Sequence, residues 1–214
     1  MGIVVWIAAD VAWAGISPGR ERLSARQIER PVVEPKGWAE LHGIAAAGEV
    51  GTEIRYGLGP SVDLGMAEAW SIVGLDAVRM SVRRSLYERE PRMTSLALDL
   101  GWTVPVVGSG DSAPDIGMLL RQELAPFQLE LGTTWSQPSD RLTETSAGNL
   151  KARGQLMVEG GPLLVTVSVE GDSRGSSRWG WETALQLSRG LTIGGGAAYA
   201  DQTGQAHALL GIWF

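Results

Sequence analysis

The chain carries two histidines, His42 and His207, and no cysteine. A histidine beside a carboxylate, as His42 lies two residues after Glu40, is the pairing used for general acid–base work. With a nucleophile at hydrogen-bond reach it also serves acyl transfer. No nucleophile motif accompanies either histidine, so no catalytic residue is assigned and the chain reads as a non-enzyme. Two histidines with Glu40 make a loose metal set, because i and i+2 on one strand fix little geometry. No metal ligand and no cofactor is therefore assigned. The absence of cysteine removes disulfides and thiolate sites. The glycine run Gly194–Gly196 opens no helix, so it is not a phosphate loop; glycine there lets a strand bend or another group approach it.

The other charged side chains suggest a different chemistry. Glu40, Glu53, Asp63, Asp99, Glu123, Glu130, Glu159, Glu170 and Glu182 share one parity along alternating segments with Arg55, Arg79, Arg83, Arg121, Lys151 and Arg153. His42 and His207 share it too. Such a face needs water or a partner. Either these charges pair and plug a narrow interior, or they line a wet channel and bias which solute enters. Arg79 with Arg83, and Lys151 with Arg153, predict a basic wall facing a more acidic one. Two charges, Glu68 and Arg84, take the opposite parity.

The elements that hold these residues have a period of two from Lys36 onward. "TEIRYGLG" puts Ile54, Tyr56 and Leu58 against Glu53 and Arg55, and "SLALDLGWTV" puts Leu96, Leu98, Leu100 and Trp102 against Asp99. About twelve such segments of about ten residues follow one another, the length of a tilted membrane strand. Short connections (59–61, 88–92, 125–126, 160–162, 188–190) are expected to take turns with longer ones, as in a membrane meander. Trp70, Trp102, Trp135, Trp179, Trp181 and Tyr199 fall toward the long-loop rim. Trp38, Tyr87, Phe127, Trp213 and Phe214 fall toward the other. Leu98, Leu129, Val165, Val167 and Leu210 are expected to face lipid, and 206–214 to pair with 38–44. A soluble β-sandwich is the competing fold.

With 214 residues the chain suffices for one barrel, and its net charge of −6 argues against a nucleic-acid partner. No apolar run reaches the roughly 18 residues of a membrane helix, and a mean hydropathy of +0.02 is what alternation in a membrane barrel gives. Residues 1–14 read as an atypical or truncated signal peptide, with Ala12-Trp13-Ala14 as cleavage pattern but no basic start. Residues 15–35, charged and holding Pro18, Pro31 and Pro35, read as a periplasmic tail or linker, and 36–214 as the barrel.

These features together resemble the Gram-negative outer-membrane β-barrels, porin-like or transporter-like. The terminal "ALLGIWF" is similar to that family's assembly signal, carried here by Leu210, Ile212 and Phe214, and "ERPVVEPKGWAELHGI" to a first strand of such barrels. The resemblance implies a closed, all-β, antiparallel up-and-down transmembrane barrel in the bacterial outer membrane. It implies the lipid bilayer and the barrel-assembly machinery as partners. The expected function is a passive pore or small-solute channel. Glu40, His42, Arg55, Arg79, Arg83, Asp99, Arg121, Glu130, Lys151, Arg153, Glu170, Glu182 and His207 are expected to line its lumen. A lipid-acting barrel enzyme and a structural or adhesion barrel are the alternatives.

Overall fold

The structure, a computed structural model, describes residues 32–89, 94–106, 112–124, 126–137, 148–188, 190–200 and 203–213. The expected signal segment, most of the tail and Phe214 lie outside these residues. Twelve strands follow in order: β1 (Ala39–Ala46), β2 (Glu49–Gly57), β3 (Val62–Ser71), β4 (Gly74–Arg89), β5 (Thr94–Pro105) and β6 (Ala113–Leu124) make the first half. The second half is β7 (Phe127–Ser136), β8 (Asn149–Gly160), β9 (Leu163–Asp172), β10 (Ser177–Ser188), β11 (Leu191–Ala200) and β12 (Thr203–Trp213). Each strand pairs antiparallel with the next, and β12 returns to β1, with Leu41 opposite Ile212 and Gly43 opposite Leu210. The barrel is closed, which leaves no unpaired sheet edge. The sandwich alternative is excluded.

The alternation decides which face is which. Buried polar residues such as Arg55, Asp63, Ser81, Asp115, Gln128, Glu159 and Thr166 all take the inward parity. The large exposed hydrophobics Leu64, Met80, Leu100, Leu129, Val167 and Ile193 take the other. Leu98, Leu129, Val165, Val167 and Leu210 all lie on the outer face, in register with outer residues of their neighbours. A barrel normally buries apolar side chains; here the apolar face points out and the polar face in.

Bulges adjust this pattern locally. One between Ser85 and Tyr87 leaves Leu86 and Tyr87 both exposed at the short-turn end. Another, between Ala69 and Trp70, comes after Glu68 and does not turn it inward. Glu68 accepts the Trp70 indole hydrogen at 3.2 Å, so the two outer polar groups satisfy each other. Arg84 is likewise outward, opposite Val62 and Leu98.

The connections differ from the expected strict alternation. β1 and β2 join through Ala47 and Gly48, and β3 and β4 through Ile72 and Val73, where the sequence alternation places longer connections over 47–51 and 72–76. The strands continue further than the sequence suggests: Glu49 and Val50 pair with Ala46 and Ala45. Gly48 permits the tight reversal, its φ of +83° lying where a side chain is disfavoured. The longer connections on that side span 106–112, 137–148 and 173–176 by number.

Aromatics gather toward both ends of the outer face. Trp70, Trp102, Trp135, Trp179, Trp181 and Tyr199 are exposed toward one end, with Trp179 and Tyr199 stacked at 4.5 Å between centroids. Tyr87 and Phe127 are exposed toward the other, and Tyr56, also exposed, is the penultimate residue of β2, beside its short turn. Trp38 is a correction: it is buried, because it shares the inward parity of Glu40, and its backbone is fixed there by the Pro35 carbonyl and the Gly57 amide.

In β11 the glycine run curves the wall. A Cβ at Gly194 or Gly196 would strike the backbone of β10, so the two strands approach more closely there than side chains would permit.

Candidate functional site: the barrel lumen

Twelve strands enclose more space than the small barrels that side chains fill, and less than the wide porins. What occupies the interior therefore decides what the barrel can do. The interior has two dissimilar walls and a strap laid on one of them.

The first wall runs from β2 to β7, and its four arginines are all held by acids of the same wall. Arg55 reaches Asp63 on the next strand, Nη1 to Oδ1 at 2.8 Å, and Asp99 on β5, Nη2 to Oδ2 at 2.8 Å. Its Nε lies 3.1 Å from Glu53. Arg79 bridges Asp99 at 2.6 Å and holds both carboxylate oxygens of Asp115, at 3.0 and 2.6 Å. Arg83 Nε adds a third guanidinium to Asp99 at 3.1 Å. Further along, Arg121 donates twice to one oxygen of Glu130, at 3.1 and 2.9 Å.

This network lies flat because the residues beneath it are small. A Cβ at Gly65 would strike Ser81 Oγ and the Arg55 guanidinium; one at Gly101 would strike Arg79 Nη2 and the Asp115 carboxylate. Desolvating so many charges is tolerable only when each finds partners, and here the guanidinium forks supply them. The expected basic stripe at Arg79 and Arg83 is thereby corrected. Their charge is cancelled by Asp99 and Asp115 within the same wall instead of facing an acidic wall across the lumen.

The second wall, β8 to β12 and on to β1, is more open. Lys151 stands 3.8 Å from Glu170, and both side chains are about half exposed (51% and 40%). Arg153 makes a hydrogen bond to Gln155 at 3.0 Å and is exposed. Arg178 faces the same space, opposite Glu170 and Ala200, and is exposed. Asp172 is engaged by the β9–β10 turn, accepting the amides of Arg174 and Ser176. Glycine and alanine on β11, at Gly194, Gly196, Ala198 and Ala200, leave space above the wall.

The histidines do not meet. His42 pairs in register with Gly211 and His207 with Ala46, four positions apart along β1. Each has its own glutamate: His42 Nε2 lies 3.4 Å from Glu40, and His207 Nε2 lies 3.1 Å from Glu182. The second pair spans β11 above Gly196, again a bridge across a glycine.

The strap is residues 32–38, which run inside the barrel at the short-turn end. Val32 and Val33 are 3% and 4% exposed and cluster with Ala97 and Leu119, two inward apolar residues among the polar ones at the short-turn end of β4–β6. The Glu34 amide donates to Asp63 Oδ2 at 3.0 Å, and Arg83 Nη1 reaches the Val32 carbonyl at 3.4 Å. Gly37 and Gly57 are joined by a backbone hydrogen bond of 2.9 Å. Burying each valine is worth about 1.5–3 kcal/mol as an upper figure.

All thirteen residues expected to line the lumen take inward positions. The structure brings Arg55, Arg79, Arg83 and Asp99 into one cluster, joins Arg121 to Glu130, and leaves Lys151, Arg153 and Glu170 on the open wall. Sequence reasoning missed Asp115 and Arg178, which stand near strand ends where parity is hard to read. It also missed the strap. The signal was present there, since two adjacent valines between charged residues and prolines are unusual in a solvated tail.

No family model matches the chain, and no curated protein matches it. Solved structures do resemble it. A KdgM porin superposes with a TM-score of 0.62 at 7% identity, covering 82% of this chain and 98% of the porin. A NanC porin gives 0.63 at 8% identity, covering 82% and 98%. A KdgM porin in complex with disordered oligogalacturonate gives 0.60 at 7% identity, covering 83% and 98%. The chain has the fold of these porin barrels.

Proposed function

We propose that this protein is a passive pore for small solutes in the bacterial outer membrane. The observation that carries the reading is the inversion of faces: a closed barrel with hydrophobics outside and charged, hydrogen-bonded groups inside. Water would not tolerate that exterior, whereas hydrocarbon covers it and requires the closure. The aromatics at both ends of the outer face suit the two membrane interfaces. The solved barrels of like fold are named porins, and one of them binds oligogalacturonate. Their fold favours a channel over a barrel enzyme.

In this reading the bilayer is the partner of the outer face, and the barrel-assembly machinery reads the alternating last strand. Small solutes pass along the open wall, where Lys151, Arg153, Arg178 and Glu170 are the charges they meet. The paired wall contributes shape, and its arginines are held by its own acids. Ion selectivity is therefore weak and set by β8–β10. Planar-bilayer conductance of the refolded protein tests this, together with liposome swelling in small neutral sugars. Conducting steps and swelling are expected; a barrel that inserts yet passes neither ions nor sugars overturns the reading.

A further inference from the structure

We propose that residues 32–35 are a built-in, displaceable gate, an extended peptide seated on the lumen wall that sets the width of the short-turn mouth. The proposal rests on the pore reading above, and deepens it.

Three independent features mark the place as a seat made for a peptide. At the short-turn half of β4–β6 the inward residues are polar except at Ala97 and Leu119, and the two strap valines pack on that pair. Asp63 is fully buried and divides its carboxylate between two tasks: Oδ1 takes Arg55, and Oδ2 takes the strap amide of Glu34. Gly57 leaves its inner face empty for the strap, because a Cβ there would overlap the carbonyls of Pro35 and Glu34. A polar wall with an apolar patch, a carboxylate oxygen aimed at a backbone amide, and a missing side chain together fit one kind of occupant.

The seat is also shallow. The barrel is held by ladders along every strand, whereas residues 32–35 join none of them: two valines, the Glu34 amide–carboxylate bond and the longer Arg83 contact are among their anchors, and the backbone bonds to Gly57 begin only at Gly37. Removing it breaks no strand pairing. The strap is thus the part of the lumen that can move while the barrel stays closed, and solute that crosses the short-turn mouth passes beside it or displaces it.

The test uses the full chain, refolded into liposomes and planar bilayers. Because the chain has no cysteine, Val33→Cys introduces the sole thiol. Its labelling by a charged, membrane-impermeant maleimide reports the seat, and conductance reports the gate. In an otherwise native background labelling is expected to be slow. Adding Gly57→Val, which fills the strap's space, is expected to accelerate it at least tenfold and to raise conductance. Val32→Asp, which puts a charge on the apolar patch, is expected to do the same and serves if Gly57→Val fails to fold. Heat-modifiable gel migration identifies folded barrels. Equal labelling rates in folded variants overturn the seat. Faster labelling with unchanged conductance in a conducting barrel overturns the gate. If no variant conducts while labelling still responds, the pore reading and the gate fall together, and the seat alone stands.

Discussion

Arg55 on β2 holds Asp99 on β5 at 2.8 Å, with β3 and β4 lying between them. The span is bridged because the intervening inward positions are Gly65 and Ser81, and Ser81 Oγ itself accepts from Arg55 at 3.3 Å. One arginine thus ties four strands together from inside, and Asp99 receives Arg79 and Arg83 as well.

This makes Arg55 costly to remove. Arg55→Ala leaves Asp63, fully buried, without its guanidinium, and breaking one partner of a buried pair costs about 3–5 kcal/mol. Urea unfolding of the refolded barrel, followed by tryptophan fluorescence, should show that loss. Arg153→Ala, at an exposed position, should shift the same curve by under about 0.5 kcal/mol. Equal shifts would mean that the Arg55 network is a surface decoration.

Register is tested by neighbours. Val167 points out, opposite Leu156 and Trp181, and Ser168 points in, opposite Gln155 and Gly180. Val167→Arg should destabilise the lipid-embedded barrel by about 2–4 kcal/mol if it sits near the midplane. Ser168→Arg should cost far less, because its side chain enters the polar interior. A reversed order would put the inner face outside.

What the sequence made legible follows from period. Alternation fixes parity, and parity fixed the inward position of residues as far apart as Glu40 and Arg153. A single slip would have inverted whole strands. Strand ends were read less well, because Ala47-Gly48 and Ile72-Val73 are two-residue turns that no composition shift announces. The pairing inside the lumen was illegible for another reason. Whether Arg83 faces water or Asp99 depends on which strands are neighbours and on glycines at Gly65 and Gly101, and a linear pattern carries neither. The strap was missed because residues before the first strand have no period, and the adjacent Val32 and Val33 were the one sign of an inward course.

The Glu182–His207 pair repeats the bridge over a glycine on the far side of the barrel. His207 is nearly buried, its side chain 7% exposed, and Glu182 reaches it at 3.1 Å above Gly196. Glu182→Leu should cost about 1–3 kcal/mol through the imidazole left without its carboxylate. Gly196→Val should cost at least as much, since its side chain also meets the β10 backbone. The double variant should fall short of the sum of the two, because both remove the same bond. Strict additivity in urea titrations would show that the glycine serves curvature alone.

The two walls should differ in what they do to ions. Arg121 is locked to Glu130 by two hydrogen bonds, and its field is cancelled at short range. Arg153 and Lys151 stand exposed, with Glu170 as the nearby acid. An exposed charge acts on a passing ion over about 8–10 Å at ordinary salt, whereas a paired one presents only a dipole. Arg153→Ala should therefore shift the reversal potential in a salt gradient toward cations. Arg121→Leu should unfold more readily than it changes selectivity. The shift should shrink on raising salt to about 1 M, where screening falls to about 3 Å. Reversal potentials that respond equally to both changes would place solute along the whole circumference, and the division into a paired wall and an open one would lose its functional meaning.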